Sequence, residues 1–90
     1  MFKILEELIN IIRQRKLAKD PKSYTSKLFS DKKLATEKVK EEISELIDAI
    51  EKNSNKVHES ADVIYHLMVL LEANDIKIED VMDELKKRQK

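Results

Sequence analysis

The sequence contains no cysteine and no glycine, and a single proline among its 90 residues. Without Cys there is no disulfide, no thiolate metal site and no Cys nucleophile. Without Gly, phosphate-cradling P-loops, dinucleotide fingerprints and most tight hairpin turns are excluded. No apolar run approaches the length of a membrane span, so no membrane partner is expected. The opening stretch MFKILEELINIIRQRK mixes charge into its apolar positions, unlike a signal peptide. The cytoplasm is therefore the expected compartment.

What remains is 41% hydrophobic and 40% charged, the balance of one small soluble domain over residues 1–90. A chain of this size buries a thin core, so a homo-oligomer is expected. Net charge is zero but unevenly spread. Residues 1–40 carry eleven Lys/Arg against five Asp/Glu, a net +6, and residues 41–90 carry seven against thirteen, a net −6. A nucleic-acid binder concentrates positive charge without such balancing acid, so no nucleic-acid partner is expected. The split suits a site where acids hold a cation and bases hold an anion. It equally suits two solvated helix faces.

Apolar residues at Phe2, Leu5, Leu8, Ile9, Ile12 and Leu17 follow the spacing of an amphipathic helix. It should stop before Asp20-Pro21, because proline disfavours helical geometry in the residue before it. In SYTSKLF, Ser23 or Thr25 is suited to cap a short helical turn. A long helix is predicted from about Asp31 to Asn53, with Leu34, Val39, Ile43, Leu46, Ile47 and Ile50 as its apolar stripe. Ser54-Asn55 breaks that pattern and can cap the next helix, Lys56 to Ala73, with Val57, Ala61, Ile64, Leu67, Met68 and Leu71 inward. Asn74 is suited to a left-handed C-cap in place of Gly. A last helix, Ile78 to Arg88, carries Val81, Met82 and Leu85. No stretch alternates as a strand, and the chain reads as an all-α bundle of four to five helices.

Helical neighbours lie three and four residues apart, so Glu42 and Glu45 share one side of the second long helix, and Glu41 also neighbours Glu45. Glu59 and Asp62 share a side of the third, and His66 continues that line. The short Asn53–Asn55 connection makes the two helices antiparallel neighbours. At about 1.5 Å per residue the two acid pairs are offset by a turn or so. Like charges at these spacings repel by a few tenths of a kcal/mol each on an exposed helix. Crowding them beside apolar residues costs more unless a cation compensates. Oxygen ligands without Cys point to a hard ion, and Mg²⁺ commonly takes a few carboxylates plus water and substrate phosphates. The alternatives stay open at this level: each pair also fits a solvated face. His66 fits a surface or half-buried polar residue, and Tyr65 a packing residue with a wet hydroxyl.

The acid pattern Glu41-Glu42-Ile43-Ser44-Glu45 followed by Glu59-Ser60-Ala61-Asp62 resembles the metal motif of the all-α, MazG-type nucleotide pyrophosphohydrolases. SYTSKLF at 23–29, KVKEEISE at 38–45, ESADVIYHLMVLL at 59–71 and EDVMDELKKR at 79–88 together resemble phosphoribosyl-ATP pyrophosphohydrolase, the second enzyme of histidine biosynthesis. The likeness runs in order over nearly the whole chain. It implies an all-α bundle of the nucleoside triphosphate pyrophosphatase type, completed by dimerisation. It implies Mg²⁺-dependent hydrolysis of phosphoribosyl-ATP to phosphoribosyl-AMP and pyrophosphate. Carried over by position, Glu42, Glu45, Glu59 and Asp62 would be the metal ligands. Glu41 would act beside them as a supporting group or as an orienter of the attacking water.

Lys27 and Lys38 are the candidate phosphate contacts, since Lys offers a mobile point charge to phosphate oxygens. Ser23, Tyr24 and Thr25 would line the substrate side. Two departures stand out: Lys40 occupies the place of a usual Gly before the paired Glu, and FSDKK follows the SYTSKL segment where a Gly is common. The second bears on the loop near Ser30 and on the fit to the substrate's second phosphoribosyl group. Many relatives are fused to a cyclohydrolase domain whose zinc needs Cys, so this chain is expected to carry only the hydrolase. Two rivals remain: a house-cleaning pyrophosphatase of the same superfamily acting on other nucleoside triphosphates, and a non-catalytic helical interaction module.

Overall fold

The structure, a computed structural model, describes residues 2–18, 20 and 22–89. Five helices run in order: α1 (Lys3–Ala18), α2 (Tyr24–Ser30), α3 (Lys32–Lys52), α4 (Lys56–Ala73) and α5 (Ile78–Arg88). No strand occurs among the described residues. The all-α expectation and the helix limits are met, while the expectation placed on Pro21 lies outside the described residues.

The antiparallel pair α3–α4 is the spine, α1 and α2 lie across it, and α5 packs on α4. The caps explain the breaks. Ser23 caps α2, its side chain accepting from the Ser26 N–H, and Asp31 does the same for α3 through the Leu34 N–H. With no glycine available, the left-handed positions go to Asn53 (φ 54°), Asn55 (φ 56°) and Asp75 (φ 58°). Asn and Asp tolerate that region better than other residues because their short polar side chains bond locally. Two expectations are corrected here. Asn74 takes φ −103° and the left-handed residue is Asp75, so the turn lies one residue later. Asn55 stands at the N-cap of α4 but makes no side-chain cap bond.

The core centres on Ile12, Leu28, Ala35 and Val69, with Leu8, Phe29, Leu34, Tyr65, Met68 and Leu70 packed around them. The faces that α3 and α4 bury carry Ala35, Val39, Glu42 and Ala49 on one helix and His66, Val69 and Ala73 on the other. This corrects the sequence stripes. Ile43, Ile47, Ile50, Val57, Ile64 and Leu67 are exposed, Val57 at 86%. On α5, Met82 and Leu85 are half exposed as well.

The short last helix is also tied to α1 by an ion pair. Arg13 of α1 donates from Nε to Glu72 Oε1 at 2.9 Å and forks both terminal nitrogens onto Glu79, at 3.0 and 2.6 Å. Bidentate geometry of this kind adds orientation to attraction. The guanidinium holds the Glu79 carboxyl down to about 2. Lys16 closes the end of α4 by donating to the Glu72 carbonyl at 2.7 Å and to Asp75 at 3.0 Å. A cation there complements the negative end of the helix dipole.

Candidate active site

The short turn after α3 sets the register of the spine, and that register brings the two acid pairs together. Glu42, Glu45 and Glu59 offer carboxylate oxygens that all lie within 4.8 Å of one another. Glu59 also groups with Asp62 and His58 in the same way, so Glu59 joins the two helices' acids into one cluster. All four acids singled out from the sequence as metal ligands therefore meet at one place.

Their environment is costly for bare carboxylates. Glu42 is buried, and its pKa is raised first by burial and then by the adjacent Glu45, with His66 opposing and Asp62 adding to the effect. Glu59 is likewise pushed up by burial and then by Glu45 and Asp62, with His58 opposing. Glu42 Oε2 and Glu59 Oε2 are buried with no hydrogen-bond partner. A buried acceptor without a partner costs about 1–3 kcal/mol, more when charged, so two in one cluster call for compensation. A hard divalent cation bound by oxygens would supply it, and the donor set fits Mg²⁺. A small cavity of about 190 Å³ opens beside the cluster, lined by Glu45, Asp48, Lys52 and Glu59 among others.

Two residues here were not singled out from the sequence. His58 lies 3.3 Å from Asp62 Oδ2 through Nε2, one turn before it on α4. Asp48 lines the small cavity and pairs with Lys52 at 3.0 Å. The signal for His58 was its four-residue spacing from Asp62.

On the other flank a polar clasp ties α2 to α4. Tyr24 and His66 are joined at 3.0 Å between the hydroxyl and Nε2, and His66 Nδ1 lies 2.8 Å from the Asp62 carbonyl. That carbonyl can only accept, so Nδ1 carries the proton, and with the ring neutral the Tyr24 hydroxyl donates to Nε2. Thr25 Oγ1 and the Tyr65 hydroxyl are hydrogen-bonded beside it, which gives Tyr65 a protein partner rather than a wet hydroxyl. Tyr24 and Tyr65 stack with ring centroids 6.4 Å apart. His66 is thus a buried, bonded residue that ties Tyr24 of α2 to the Asp62 backbone of α4 and lies near enough to Glu42 to act on its charge.

The remaining sequence candidates divide. Lys38 comes close to Tyr24 and Glu42, and pairs with Glu41 at 3.4 Å. Glu41 is exposed, and the clustered oxygens do not include its own. Ser23 is buried, taking its cap bond and one from Arg15 at 3.3 Å. Lys27 faces a separate, larger cavity between the ends of α1, α2 and α4 and the start of α3.

The chain is similar along its length to known proteins. The profile of the family described as phosphoribosyl-ATP pyrophosphohydrolase matches residues 5–89. The chain is 45% identical over 93 residues to the phosphoribosyl-ATP pyrophosphatase of Clostridium novyi, covering 97% of this chain and 82% of that protein. It is 40% identical over 91 residues to the phosphoribosyl-ATP pyrophosphatase of Haloarcula marismortui, covering 96% and 93%. It is also 46% identical over 88 residues to the histidine biosynthesis bifunctional protein HisIE of Pyrococcus furiosus, covering 97% of this chain but 42% of that longer protein.

Proposed function

The chain belongs to the phosphoribosyl-ATP pyrophosphohydrolase family, and we propose that its four-acid cluster hydrolyses phosphoribosyl-ATP to phosphoribosyl-AMP and pyrophosphate with Mg²⁺. The observation that carries this reading is the pair of buried, partnerless oxygens on Glu42 and Glu59. Glu42, Glu45, Glu59 and Asp62 would hold the ion. When bound, Mg²⁺ supplies neutralisation of the triphosphate and polarises its phosphoryl oxygens. The protein's own residues do the rest. Lys38 stands at the rim to meet phosphate oxygens, and the Tyr24–His66 clasp fixes α2, the substrate side, against the ligand-bearing stretch of α4. Glu41, paired with Lys38 and outside the clustered oxygens, would support the ligands or orient the attacking water from beside them. In this reading water attacks the α-phosphorus directly and pyrophosphate departs.

Purified protein incubated with phosphoribosyl-ATP is expected to release pyrophosphate only when Mg²⁺ is present. Release that continues undiminished in excess chelator would remove the metal from the mechanism. Turnover of other nucleoside triphosphates with none of phosphoribosyl-ATP would move the chain to the house-cleaning activity.

A homodimer is the assembly this reading favours. Ile43, Ile47 and Ile50 recur along one side of α3, and Val57, Ile64 and Leu67 along one side of α4, all exposed. Apolar stripes of this extent on neighbouring helices mark an interaction surface, and a second copy offers the matching one. Light scattering should give twice the chain mass for the wild type. Ile47→Glu, which puts a charge in the middle of the stripe, should give monomer at micromolar concentration. A wild type that is already monomeric would overturn this assignment.

A further inference from the structure

We propose that the large basic cavity at the far end of the spine holds the phosphate of the substrate's second phosphoribosyl group, with Lys27 and Lys32 as its contacts. This inference rests on the phosphoribosyl-ATP reading and extends it from the bond that breaks to the end of the substrate that stays whole. The cavity measures about 1040 Å³ and is lined by Arg15, Lys16, Lys27 and Lys32 together with Phe29 and Ser30. Asp20 and Asp75 also line it. Lys16 is engaged with Asp75, and Arg15 with Ser23. Among the described residues Lys27 and Lys32 form no ion pair, though Lys32 acts on Asp75 at longer range, and both are exposed, so their charges face the cavity open to an anion.

Charge and distance both favour that anion being the second phosphate. A phosphate monoester carries about −1.5 to −2 charges at pH 7. Beside four carboxylates whose cation is already matched to a triphosphate, such a group is repelled, so it needs a basic site elsewhere. Along α3, Glu42 stands ten residues beyond Lys32, about 15 Å. Along α4, Asp62 stands eleven residues before Ala73 of the cavity wall, about 16 Å. The two helices thus place cluster and cavity at the same separation, of the order spanned by an adenine ring with a ribose on each side.

α2 bridges the gap. Tyr24 reaches His66 and lies within the field of Lys38 and Glu42, and Lys27, three residues on and on the same side, lines the cavity. The half-exposed Tyr24 ring, on the same short helix as Lys27, offers a stacking face for the base. The surplus of basic residues in the first 40 positions finds a use in the same arrangement.

The test is steady-state kinetics of the full chain with phosphoribosyl-ATP at saturating Mg²⁺, comparing wild type with the K27E/K32E double variant. Both lysines are exposed, so the melting temperature should barely move, and it is measured alongside. KM is expected to rise at least tenfold with kcat within threefold of wild type. Ribose 5-phosphate, as a probe of the cavity alone, should inhibit the wild type competitively and the variant at least tenfold more weakly. A variant KM within twofold of wild type would overturn the proposal. So would a fall in kcat accompanied by a higher Mg²⁺ requirement, which would place the lysines at the metal-bound triphosphate. A wild type inactive on phosphoribosyl-ATP defeats the functional reading itself, whereas an active wild type with an indifferent variant defeats only the assignment of the cavity.

Discussion

Glu45→Gln is expected to lower kcat/KM for phosphoribosyl-ATP by about a thousandfold, close to 4 kcal/mol of transition-state stabilisation, while making the metal-free protein more heat-stable. Both effects come from the same place. Glu45 stands between Glu42 and Glu59, and its carboxylate is the largest charged cause, after burial, of the raised pKa of each. With a divalent cation bound, that crowding becomes affinity, and an amide in place of the carboxylate removes one of the charges that hold the ion. Without the cation, the amide relieves two buried neighbours that have no hydrogen-bond partner on one oxygen.

The pH dependence has a definite sign. An acid whose folded-state pKa is raised stabilises the fold while protonated, and that contribution is lost as pH rises. In chelator the wild type should therefore lose stability as pH climbs from the ordinary carboxylate range, about 4.3 for Glu, through the raised values of Glu42 and Glu59. Glu45→Gln should blunt that loss, so its advantage appears at pH 8 and vanishes near pH 4. Mg²⁺ should reverse the order at pH 8. Thermal unfolding of both proteins at the two pH values, in chelator and in Mg²⁺, checks all four corners. Full activity in the variant, or no crossing of the melting temperatures, would detach the cluster from both metal and catalysis.

The cluster was legible before any coordinates because it depends on two regular things, helical spacing and a three-residue turn. Glu42 with Glu45 and Glu59 with Asp62 had to share sides of their helices, and the Asn53–Asn55 connection left little freedom in register. The faces of α3 and α4 were a different matter. Both helices carry two kinds of apolar surface, and periodicity responds to the larger side chains. Ile43, Ile47 and Ile50 outweigh Ala35 and Ala49 in any such pattern, yet the alanines face α4 because small residues let the two helices approach. His66 was singled out on the line of Glu59 and Asp62, but its buried, bonded role was hidden for a related reason. Its role is fixed by Tyr24, 42 residues away on a separate helix, and spacing along one helix says nothing about such a partner. The turn after α4 was misplaced by one residue because Asn74 and Asp75 are both tolerant of left-handed geometry, and local preference does not choose between them.

Leu28→Ala is expected to cost about 3–5 kcal/mol of folding stability, within the range for emptying a fully buried leucine site. For a chain of this length, total stability near 0.05–0.15 kcal/mol per residue makes that at least about a fifth of the whole. Leu28 has no exposed surface and packs with Ile12, Ala35 and Val69, so its loss opens a cavity where α1, α2, α3 and α4 meet. The consequence for α2 is out of proportion to its size. Seven residues are too few for a helix to persist by propensity, so packing through Leu28 is what keeps α2 folded. When that packing goes, Tyr24 and Thr25 lose their register against His66 and Tyr65, while the acids on α3 and α4 keep theirs. The variant should therefore show a much lower urea midpoint and, below its transition, a raised KM at a nearly unchanged Mg²⁺ requirement. Leu28→Met, which keeps the volume, should cost less than about 1.5 kcal/mol and restore KM. A Leu28→Ala protein that unfolds at the wild-type midpoint, or one that fails in Mg²⁺ binding instead of KM, would show that α2 is not what carries the substrate side of the site.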